Sequence, residues 1–476
     1  MTEYRKPGFW DRAILNLRSV WNRMGSDDAY FSEQSLSPEL SDLDRKRLIS
    51  QMQSCLEGRG GEVSARSRAA ALGHAYHTLN ETGRKRFMRV LAEEFGSDRD
   101  RIDAAVDGMQ KASDPATRAN AETQLRQALE APRVKLLTQF NALPEGIKFL
   151  VDLRAELIPW ALQDSTLAGV ERDLKSLLTA WFDVGFLELK QITWGAPASL
   201  LEKLFTYEAV HEIKSWDDLK NRLAADRRCF AFFHPRMPDE PLIFVWVALS
   251  EGMAGNIQDL LDEEAPIQDL ESADTAIFYS ISNAQVGLSG INFGNFLIKR
   301  VVDSLSTQLR GIRTFATLSP IPGFMPWLRQ RLGEGEFNLL TFDQEEILRS
   351  LSLKTASLSA KETLEHLLFE TQWREREDVQ SALNPVLLKL AAHYLVREKR
   401  PGGTALDSVA HFHLNNGSRI EQLHWGADTS ARGLAQSAGI MLNYRYLLDD
   451  IDSNHESYRS GQEIVTSSRV RTLLKD

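Results

Sequence analysis

Several features that narrow the function of a protein are scarce or missing in this sequence. Only two cysteines occur in 476 residues, Cys55 and Cys229, and neither belongs to a CxxC or Cys/His cluster. A disulfide framework or a structural zinc site is therefore not expected, and a cytoplasmic, reducing environment is predicted. No run of about eighteen apolar residues is present, so we expect no membrane-spanning helix.

The motifs of common nucleotide and hydrolase sites are also missing. The chain has no GxxxxGK[ST] loop for ATP and no GxGxxG loop with an acidic partner for NAD. It has no Gly-x-Ser-x-Gly elbow, so an α/β-hydrolase serine is not supported. The net charge of −10 disfavours general nucleic-acid binding. What remains is an ordinary globular composition, 43% hydrophobic, in a chain long enough for two or three domains.

The N-terminus has a basic amphipathic pattern. Arginine and lysine surround a stripe formed by Phe9, Ile14, Leu17 and Trp21. A transit peptide fits this pattern, but Glu3 and Asp11 are atypical of one. We therefore favour an amphipathic surface helix here.

Residues 1–190 have the pattern of a helical bundle. Capping residues and prolines predict helix starts at Ser37-Pro38, Asn80, Asp114-Pro115 and Pro144. No repeat of fixed length is visible, so a solenoid is not expected. Because this part has a large apolar helical surface and no site motif, we expect it to form the main contact between subunits.

Residues 191–476 alternate strands with helices, which predicts a mixed α/β domain. Residues 230–233 and 242–249 are predicted strands joined by a proline-rich turn. Residues 411–414 and 418–425 are predicted to form a hairpin, because Asn415-Asn-Gly417 between them is a strong turn signal. The predicted fold class is thus a helical N-terminal domain followed by a mixed α/β domain.

One segment of the second domain has the order strand, glycine-rich turn, helix, strand. The strands are predicted at residues 276–282 and 314–318, the turn at 285–290 and the helix at 295–305. A turn of this kind directs backbone N–H groups towards a phosphate. A structural tight turn is the simpler interpretation, but the helix has no acidic residue in its first turn, which leaves its positive end available to an anion.

Two side chains near these elements are candidates for chemistry. Ser319 directly follows the second strand and precedes a proline, where serine is usually a turn residue. His413 lies beside the predicted hairpin turn, and a single histidine is more often structural than catalytic. Neither residue identifies a reaction without further information.

Five segments together resemble the malonyl-CoA decarboxylase family, whose catalytic domain is similar to the N-acetyltransferase (GNAT) fold. They are Ala276-Ile-Phe-Tyr-Ser-Ile-Ser282, Phe296-Leu-Ile-Lys-Arg-Val-Val302, Leu318-Ser-Pro-Ile-Pro-Gly-Phe324, Phe412-His-Leu-Asn-Asn-Gly417 and Asn443-Tyr-Arg-Tyr446. The resemblance is strong from about residue 207 to 458. It implies a helical domain, a GNAT-like acyl-CoA-binding domain and a homo-oligomer, a dimer or a tetramer.

The resemblance also implies the site. The family's catalytic serine, histidine and supporting tyrosine fall on Ser319, His413 and Tyr446. Coenzyme A is expected to contact the turn and the start of the helix, at Gln285, Gly287, Ser289, Gly290 and Asn292. GNAT enzymes have a glycine in the middle of this turn where the chain has Leu288, and animal family members have a glutamate where it has Asn292.

The chemistry of malonyl-CoA is consistent with these residue types. Loss of CO2 leaves an enolate for which the thioester carbonyl is the electron sink, so we expect no metal or organic cofactor. A hydroxyl and an imidazole suffice to hold the malonyl group and deliver a proton. We assign the first role to Ser319 and polarisation to His413, and either one could transfer the final proton. Tyr446 could orient His413 or bind the thioester oxygen.

Two other functions fit the same cradle. An acyl-CoA-dependent N-acyltransferase would need an acceptor channel and a base for an amine. A non-catalytic acyl-CoA sensor would need neither Ser319 nor His413. For the decarboxylase, both malonate breakdown and control of malonyl-CoA in fatty acid metabolism are compatible with the sequence. Malonyl-CoA is the only partner besides further subunits that we predict, with neither nucleic acid nor membrane.

Overall fold

The computed structural model describes residues 36–57, 61–291, 294–334, 337–351, 358–370, 372–461 and 463–475. The predicted N-terminal amphipathic helix and Asn292 lie outside these residues. Contacts between Cα atoms divide the chain into two units. The first contains the described residues up to Glu188 together with Phe233–Pro241 and Gln285–Ile291, and the second contains the remainder. Unlike the predicted domains, 1–190 and 191–476, these units are not continuous in sequence.

The first unit is predominantly helical, as predicted. Its helices are α1 (Asp42–Leu56), α2 (Gly61–Thr78), α3 (Glu81–Glu93), α4 (Arg99–Lys111), α5 (Pro115–Leu129), α6 (Pro132–Asn141), α7 (Gly146–Gln163) and α8 (Ala168–Trp181). The long helix α7 buries Ile147, Leu150, Val151 and Leu157. Each such side chain removed from water contributes roughly 1.5–3 kcal/mol to folding, which makes α7 a central element of this unit.

Several of these helices begin directly after a residue whose side chain caps the first turn. Asn80 accepts a hydrogen bond from the backbone N–H of Gly83, and Asp114 forms a reciprocal cap with Thr117. These two predicted starts are confirmed. The predicted start of α1 at Pro38 is wrong, because Leu40 adopts a positive φ of 53° and Ser41 is the capping residue.

The second unit contains most of a sheet whose strands are β1 (Glu188–Ile192), β2 (Arg227–His234), β3 (Met237–Ser250), β4 (Thr275–Asn283), β5 (Thr314–Thr317), β6 (Ser319–Pro320), β7 (Arg419–His424) and β8 (Met441–Tyr446). The strand order is β1-β2-β3-β4-β5-β8-β6, and β7 also pairs with β8. Strands β4 and β5 are parallel, whereas the pairs β3/β4, β5/β8 and β7/β8 are antiparallel. A mixed sheet with helices confirms the predicted α/β class.

The helices of this region are α9 (Ala198–Tyr207), α10 (Trp216–Asn221), α11 (Ile257–Leu260), α12 (Gly294–Gln308), α13 (Phe324–Gly333), α14 (Phe342–Leu351), α15 (Ala360–Glu370), α16 (Glu377–Val396), α17 (Ser408–Asn415), α18 (Ala431–Ser437), α19 (Ile451–Arg459) and α20 (Ser468–Leu473). A hydrophobic core joins α13, α15 and α16 to β7 and β8. None of the described helices is long and apolar enough to cross a membrane.

The sheet opens between β4 and β5. Their pairing runs from Thr275 opposite Thr314 to Phe278 opposite Thr317, where β5 ends. Strand β4 continues to Asn283, whereas the chain after β5 pairs through Ser319 with Leu442 of β8. The two strands predicted at residues 276–282 and 314–318 therefore lie side by side, and their pairing ends immediately before Ser319.

The predicted hairpin around Asn415-Asn-Gly417 is wrong. Residues 411–414 belong to helix α17, which begins after the capping residue Asp407. The Asn-Gly pair ends this helix, because Gly417 has a positive φ of 78° and a side chain there would lie 2.1 Å from the carbonyl oxygen of Ile451. A glycine with positive φ is favoured both after a helix and in a hairpin turn, so the local signal did not distinguish the two.

Candidate active site

Ser319 and His413 meet in the second unit. The Ser319 Oγ lies 3.2 Å from the His413 Nε2, although 94 positions separate the residues in sequence. Ser319 is held at the end of the open sheet by its pairing with Leu442, and His413 lies in the second turn of α17. Both side chains are buried. The predicted hydrogen-bond contact between them is confirmed.

Tyr446 contacts the other nitrogen of the imidazole. Its Oη lies 2.8 Å from the His413 Nδ1, so the predicted partner of the histidine is in place. The Ser319 hydroxyl donates to the Thr317 Oγ1 at 2.8 Å. With the serine proton used in this way, His413 Nε2–H donates to Ser319 and the Tyr446 hydroxyl donates to Nδ1. The network thus assigns the proton of the neutral imidazole to Nε2.

Burial keeps His413 neutral. It lowers the pKa of His413 from 6.5 to about 3, because a charged imidazolium would lose its hydration. The ring of Tyr444 stacks on the imidazole with centroids 4.5 Å apart. Burial also raises the pKa of Tyr446 well above its usual value. A neutral imidazole oriented by a neutral phenol differs from a Ser–His–Asp triad, in which a carboxylate stabilises the imidazolium.

A pocket of about 360 Å³ has the serine–histidine pair in its wall. Its other lining residues, which include no cationic side chain, are Val210, Phe278, Tyr279, Ser280, Ile281, Asn283, Pro320, Ser408, Val409 and Phe412. The pocket lies where β4 continues past the end of β5. It is a partly apolar space with hydroxyl and imidazole groups on one wall, which is suitable for a small acyl group.

The glycine-rich turn is held in place by contacts within the first unit. Arg154 of α7 donates from Nη1 to the carbonyl oxygens of Gly287, at 2.6 Å, and Ser289, at 2.9 Å. A side chain at Gly287 would lie 1.8 Å from the carbonyl oxygen of Val151, so only glycine permits this close approach to α7. The Gln285 amide is buried and donates to the carbonyl oxygen of Pro241. Gln285 and Gly287 therefore shape the turn.

Ser289 and Gly290 are the exposed members of the predicted substrate set in this turn. Gly290 has a positive φ of 72°, and the Lys175 Nζ lies 3.0 Å from the position that a Cβ would occupy there. The backbone N–H groups of Leu288 and Ser289 donate within the turn, so they do not point outwards as free donors. Binding of coenzyme A by the predicted residues stays a prediction.

Sequence reasoning missed Thr317. Its hydroxyl accepts hydrogen bonds from the Ser319 hydroxyl and, at 3.1 Å, from the backbone N–H of Tyr444. Residues two apart in an extended chain point to the same side, and this periodicity would have placed Thr317 beside Ser319. The same periodicity places Tyr444, whose ring stacks on His413, on the side of β8 that carries Tyr446. No group of His, Cys, Asp and Glu side chains that could hold a metal ion occurs among the described residues.

Comparison with known protein families identifies both parts of the chain. Residues 185–476 match the model of the malonyl-CoA decarboxylase C-terminal domain. Residues 95–182 match that of the malonyl-CoA decarboxylase N-terminal domain. The chain belongs to the malonyl-CoA decarboxylase family. The resemblance inferred from the five sequence segments is confirmed.

Relatives and solved structures of this family agree. The mitochondrial malonyl-CoA decarboxylase of goose (Anser anser anser) is 38% identical over 430 residues, 86% of this chain and 84% of the goose protein. The mouse (Mus musculus) protein of the same name is 37% identical over 87% of this chain and 83% of its own length. The crystal structure of malonyl-CoA decarboxylase from Rhodopseudomonas palustris has a TM-score of 0.80 and 40% identity, covering 90% of this chain and 99% of that one.

The same comparison corrects the predicted localisation. The sequence led us to expect a cytoplasmic protein, but the goose, mouse and rat relatives are all named as mitochondrial enzymes. The cytoplasmic prediction is therefore wrong. It was based on two unpaired cysteines, and free cysteines indicate only a reducing environment, not a particular compartment.

Proposed function

We propose that this chain decarboxylates malonyl-CoA to acetyl-CoA and CO2, and that Ser319, His413 and Tyr446 carry the reaction. Membership of the malonyl-CoA decarboxylase family supports the substrate and the reaction. The observation that supports the residues is their continuous hydrogen-bonded chain, from Ser319 through His413 to Tyr446, in the wall of a pocket.

The pocket favours departure of CO2 over retention of the carboxylate. Among the described residues that line it, none carries a positive charge and several are apolar. A carboxylate placed there loses water and gains no counter-ion, whereas neutral CO2 pays no such penalty. The electrons of the breaking C–C bond move into the thioester carbonyl, which forms an enolate. Because that carbonyl is already an electron sink, the step requires neither a metal nor an organic cofactor.

The serine–histidine pair completes the reaction by supplying one proton to the α-carbon. In our proposal the Ser319 hydroxyl turns from Thr317 to the malonyl group and gives its proton to the enolate carbon. The Nε2–H of His413, already directed at Ser319 Oγ, replaces that proton while Nδ1 takes the proton of the Tyr446 hydroxyl, and solvent later restores the phenol. The low pKa of His413 keeps the ring neutral, so it does not withdraw the serine proton and its Nε2–H stays directed at the Ser319 oxygen.

We further propose that the second domain is GNAT-like and that the exposed turn residues Ser289 and Gly290 contact the phosphates of coenzyme A. Asn292, which lies outside the described residues, is proposed as a further contact. Gln285 and Gly287 would support this site by fixing the shape of the turn, through their contacts with Pro241 and Val151. A homo-oligomer with contacts through the helical domain remains part of the proposal.

Incubation of the pure protein with malonyl-CoA alone tests the function. We expect acetyl-CoA and CO2 in equal amounts, without an added acceptor and in the presence of EDTA. Acetyl or malonyl transfer that appears only after an amine is added would support an N-acyltransferase. Tight binding of malonyl-CoA without turnover would support the sensor.

A further inference from the structure

Asp407 lies outside the pocket wall but contacts both chain segments that carry the proposed catalytic pair. It is 1% exposed and precedes α17, the helix of His413. Its Oδ1 accepts hydrogen bonds from the backbone N–H groups of Val409 and Ala410, both at 2.9 Å. This oxygen therefore caps and orients the helix on which His413 lies.

The second oxygen of the same carboxylate contacts the segment of Ser319. The Asp407 Oδ2 accepts from the backbone N–H of Gly323 at 3.2 Å and from the Tyr394 hydroxyl at 3.4 Å. Gly323 is four residues after Ser319, and the intervening Pro320 and Pro322 restrict the backbone between them. If Gly323 moves, this restricted backbone therefore moves Ser319 with it.

The approach of Gly323 to this carboxylate depends on its lack of a side chain. A Cβ at Gly323 would lie 2.1 Å from the Tyr394 Oη and 3.3 Å from the Asp407 Oδ2. Gly323 is also the N-cap residue directly before α13. One buried carboxylate thus joins the N-terminal ends of two helices, one directly after Ser319 and the other carrying His413.

We propose that Asp407 is a positioning residue for the decarboxylase reaction, which sets the separation of Ser319 and His413 by linking Gly323 to the start of α17. This inference rests on the proposed role of the pair. Asp407 does not touch the substrate. It acts through geometry, since a misplacement of reacting groups by about 1 Å lowers a rate by roughly 100-fold.

The first test removes the contact of Asp407 with Gly323 and keeps its cap on α17. Serine is as good a helix cap as aspartate, but its single short hydroxyl cannot also reach Gly323. In Asp407→Ser we expect kcat to fall by about 10- to 100-fold, with KM for malonyl-CoA within about twofold of wild type. Asp98→Ser is the matched control, because Asp98 caps α4 in the same way through Asp100 and Arg101. We expect its kcat to be unchanged.

The same substitution made in a Ser319→Ala protein distinguishes a positioning role of Asp407 from a general structural defect. In Ser319→Ala the pair is already broken, so adding Asp407→Ser should lower the residual rate by no more than about twofold. An equal loss in both backgrounds would overturn the proposal, as would a kcat of Asp407→Ser within about twofold of wild type. If Ser319→Ala itself retained full activity, the proposed role of the pair would fail instead.

Asp407→Asn keeps the inference testable if Asp407→Ser does not fold, as judged by circular dichroism. Asparagine has the same shape, but its amide nitrogen must face either Gly323 N–H or the N–H groups of α17. One link is lost in either orientation, because two donors cannot pair. We expect the same loss of kcat with KM retained, and full activity in a folded Asp407→Asn protein would overturn the proposal.

Discussion

At the scale of single residues, the site differs from a hydrolase triad in the partner of its histidine. His413 contacts a phenol and a hydroxyl, and burial keeps it neutral. Such a ring directs its N–H at the serine oxygen and can pass on a proton from Tyr446, but it does not readily withdraw a proton from serine. A decarboxylase needs a donor for the α-carbon, whereas acyl transfer through serine needs a base, so the residue-level chemistry agrees with the family.

The first residue-scale prediction concerns the pair as a unit. Ser319→Ala and His413→Ala should each lower kcat by about 100-fold or more, because each breaks the same proton path, while binding of coenzyme A stays nearly unchanged. The double variant should lose little beyond the more damaging single one. Steady-state kinetics and calorimetric titration with coenzyme A measure both quantities. Full activity in either single variant would reject this mechanism.

The second residue-scale prediction is a dependence of stability on pH. His413 has a folded pKa of about 3 and an ordinary value of 6.5, so the unfolded chain binds more protons between these values. Its contribution is therefore fully present above about pH 6.5 and is lost as pH falls, with a limiting slope of about 1.4 kcal/mol per pH unit. Urea unfolding at several pH values should show a shallower slope for His413→Asn than for wild type. Equal slopes would show that His413 does not titrate in this way.

At the scale of elements, the turn at residues 285–291 is positioned by a helix. Arg154 of α7 binds two carbonyl oxygens of the turn, and Gly287 lies directly against the backbone of the same helix. The glycine that suggested a phosphate site in the sequence is thus required by packing. The conformation of the proposed coenzyme A contact is consequently set by the helical unit rather than by the turn alone.

This arrangement predicts the effect of Gly287→Ala. The added Cβ would overlap the carbonyl oxygen of Val151, so the turn must move away from α7. We expect KM for malonyl-CoA to rise by about tenfold and stability to fall by roughly 1–3 kcal/mol. Gly108→Ala is the control. Gly108 lies in helix α4, a Cβ there would have no neighbour within 4 Å, and alanine should stabilise the helix. An unchanged KM in a folded Gly287→Ala protein would remove the turn from the proposed substrate site.

At the scale of the whole molecule, assembly through the helical domain is proposed from exposed apolar side chains. Leu162, near the end of α7, is 85% exposed and Leu43, in α1, is 62% exposed. Subunit contacts are marked by contiguous apolar patches, so these side chains are positions at which the proposed contact can be tested. Ile267, in the second unit, is similarly exposed at 61% and offers a comparison.

Charge substitutions in the intact protein test this assembly. If helical surfaces form the subunit contact, Leu162→Glu should lower the mass measured by light scattering, because a buried carboxylate opposes association. Ile267→Glu should leave the mass unchanged. A loss of mass in Ile267→Glu alone would place the contact in the second domain, and no change in either variant would contradict a contact at Leu162.

The sequence by itself determined the local features of this protein. Capping residues located the helices that begin after Asn80 and Asp114, alternation of strands and helices predicted the fold class, and short motifs that resemble the family made Ser319, His413 and Tyr446 the candidate site residues. These depend on neighbouring residues, so they can be read from the chain directly. The hairpin at residues 411–417 was wrong for two reasons. The Asn-Gly signal outweighed the local cap of Asp407 in our interpretation, and the close approach of Ile451 to Gly417 comes from a distant part of the chain.

Only the tertiary structure decided how the site is assembled. The distance between Ser319 and His413, the stacking of Tyr444, the hydrogen bond of Thr317 and the double contact of Asp407 all join residues brought together by sheet pairing and helix packing. Burial, which sets the protonation state of His413, is likewise a property of the folded core. The sequence specifies which side chains are available. The distances between them and their burial from water arise only when the chain folds.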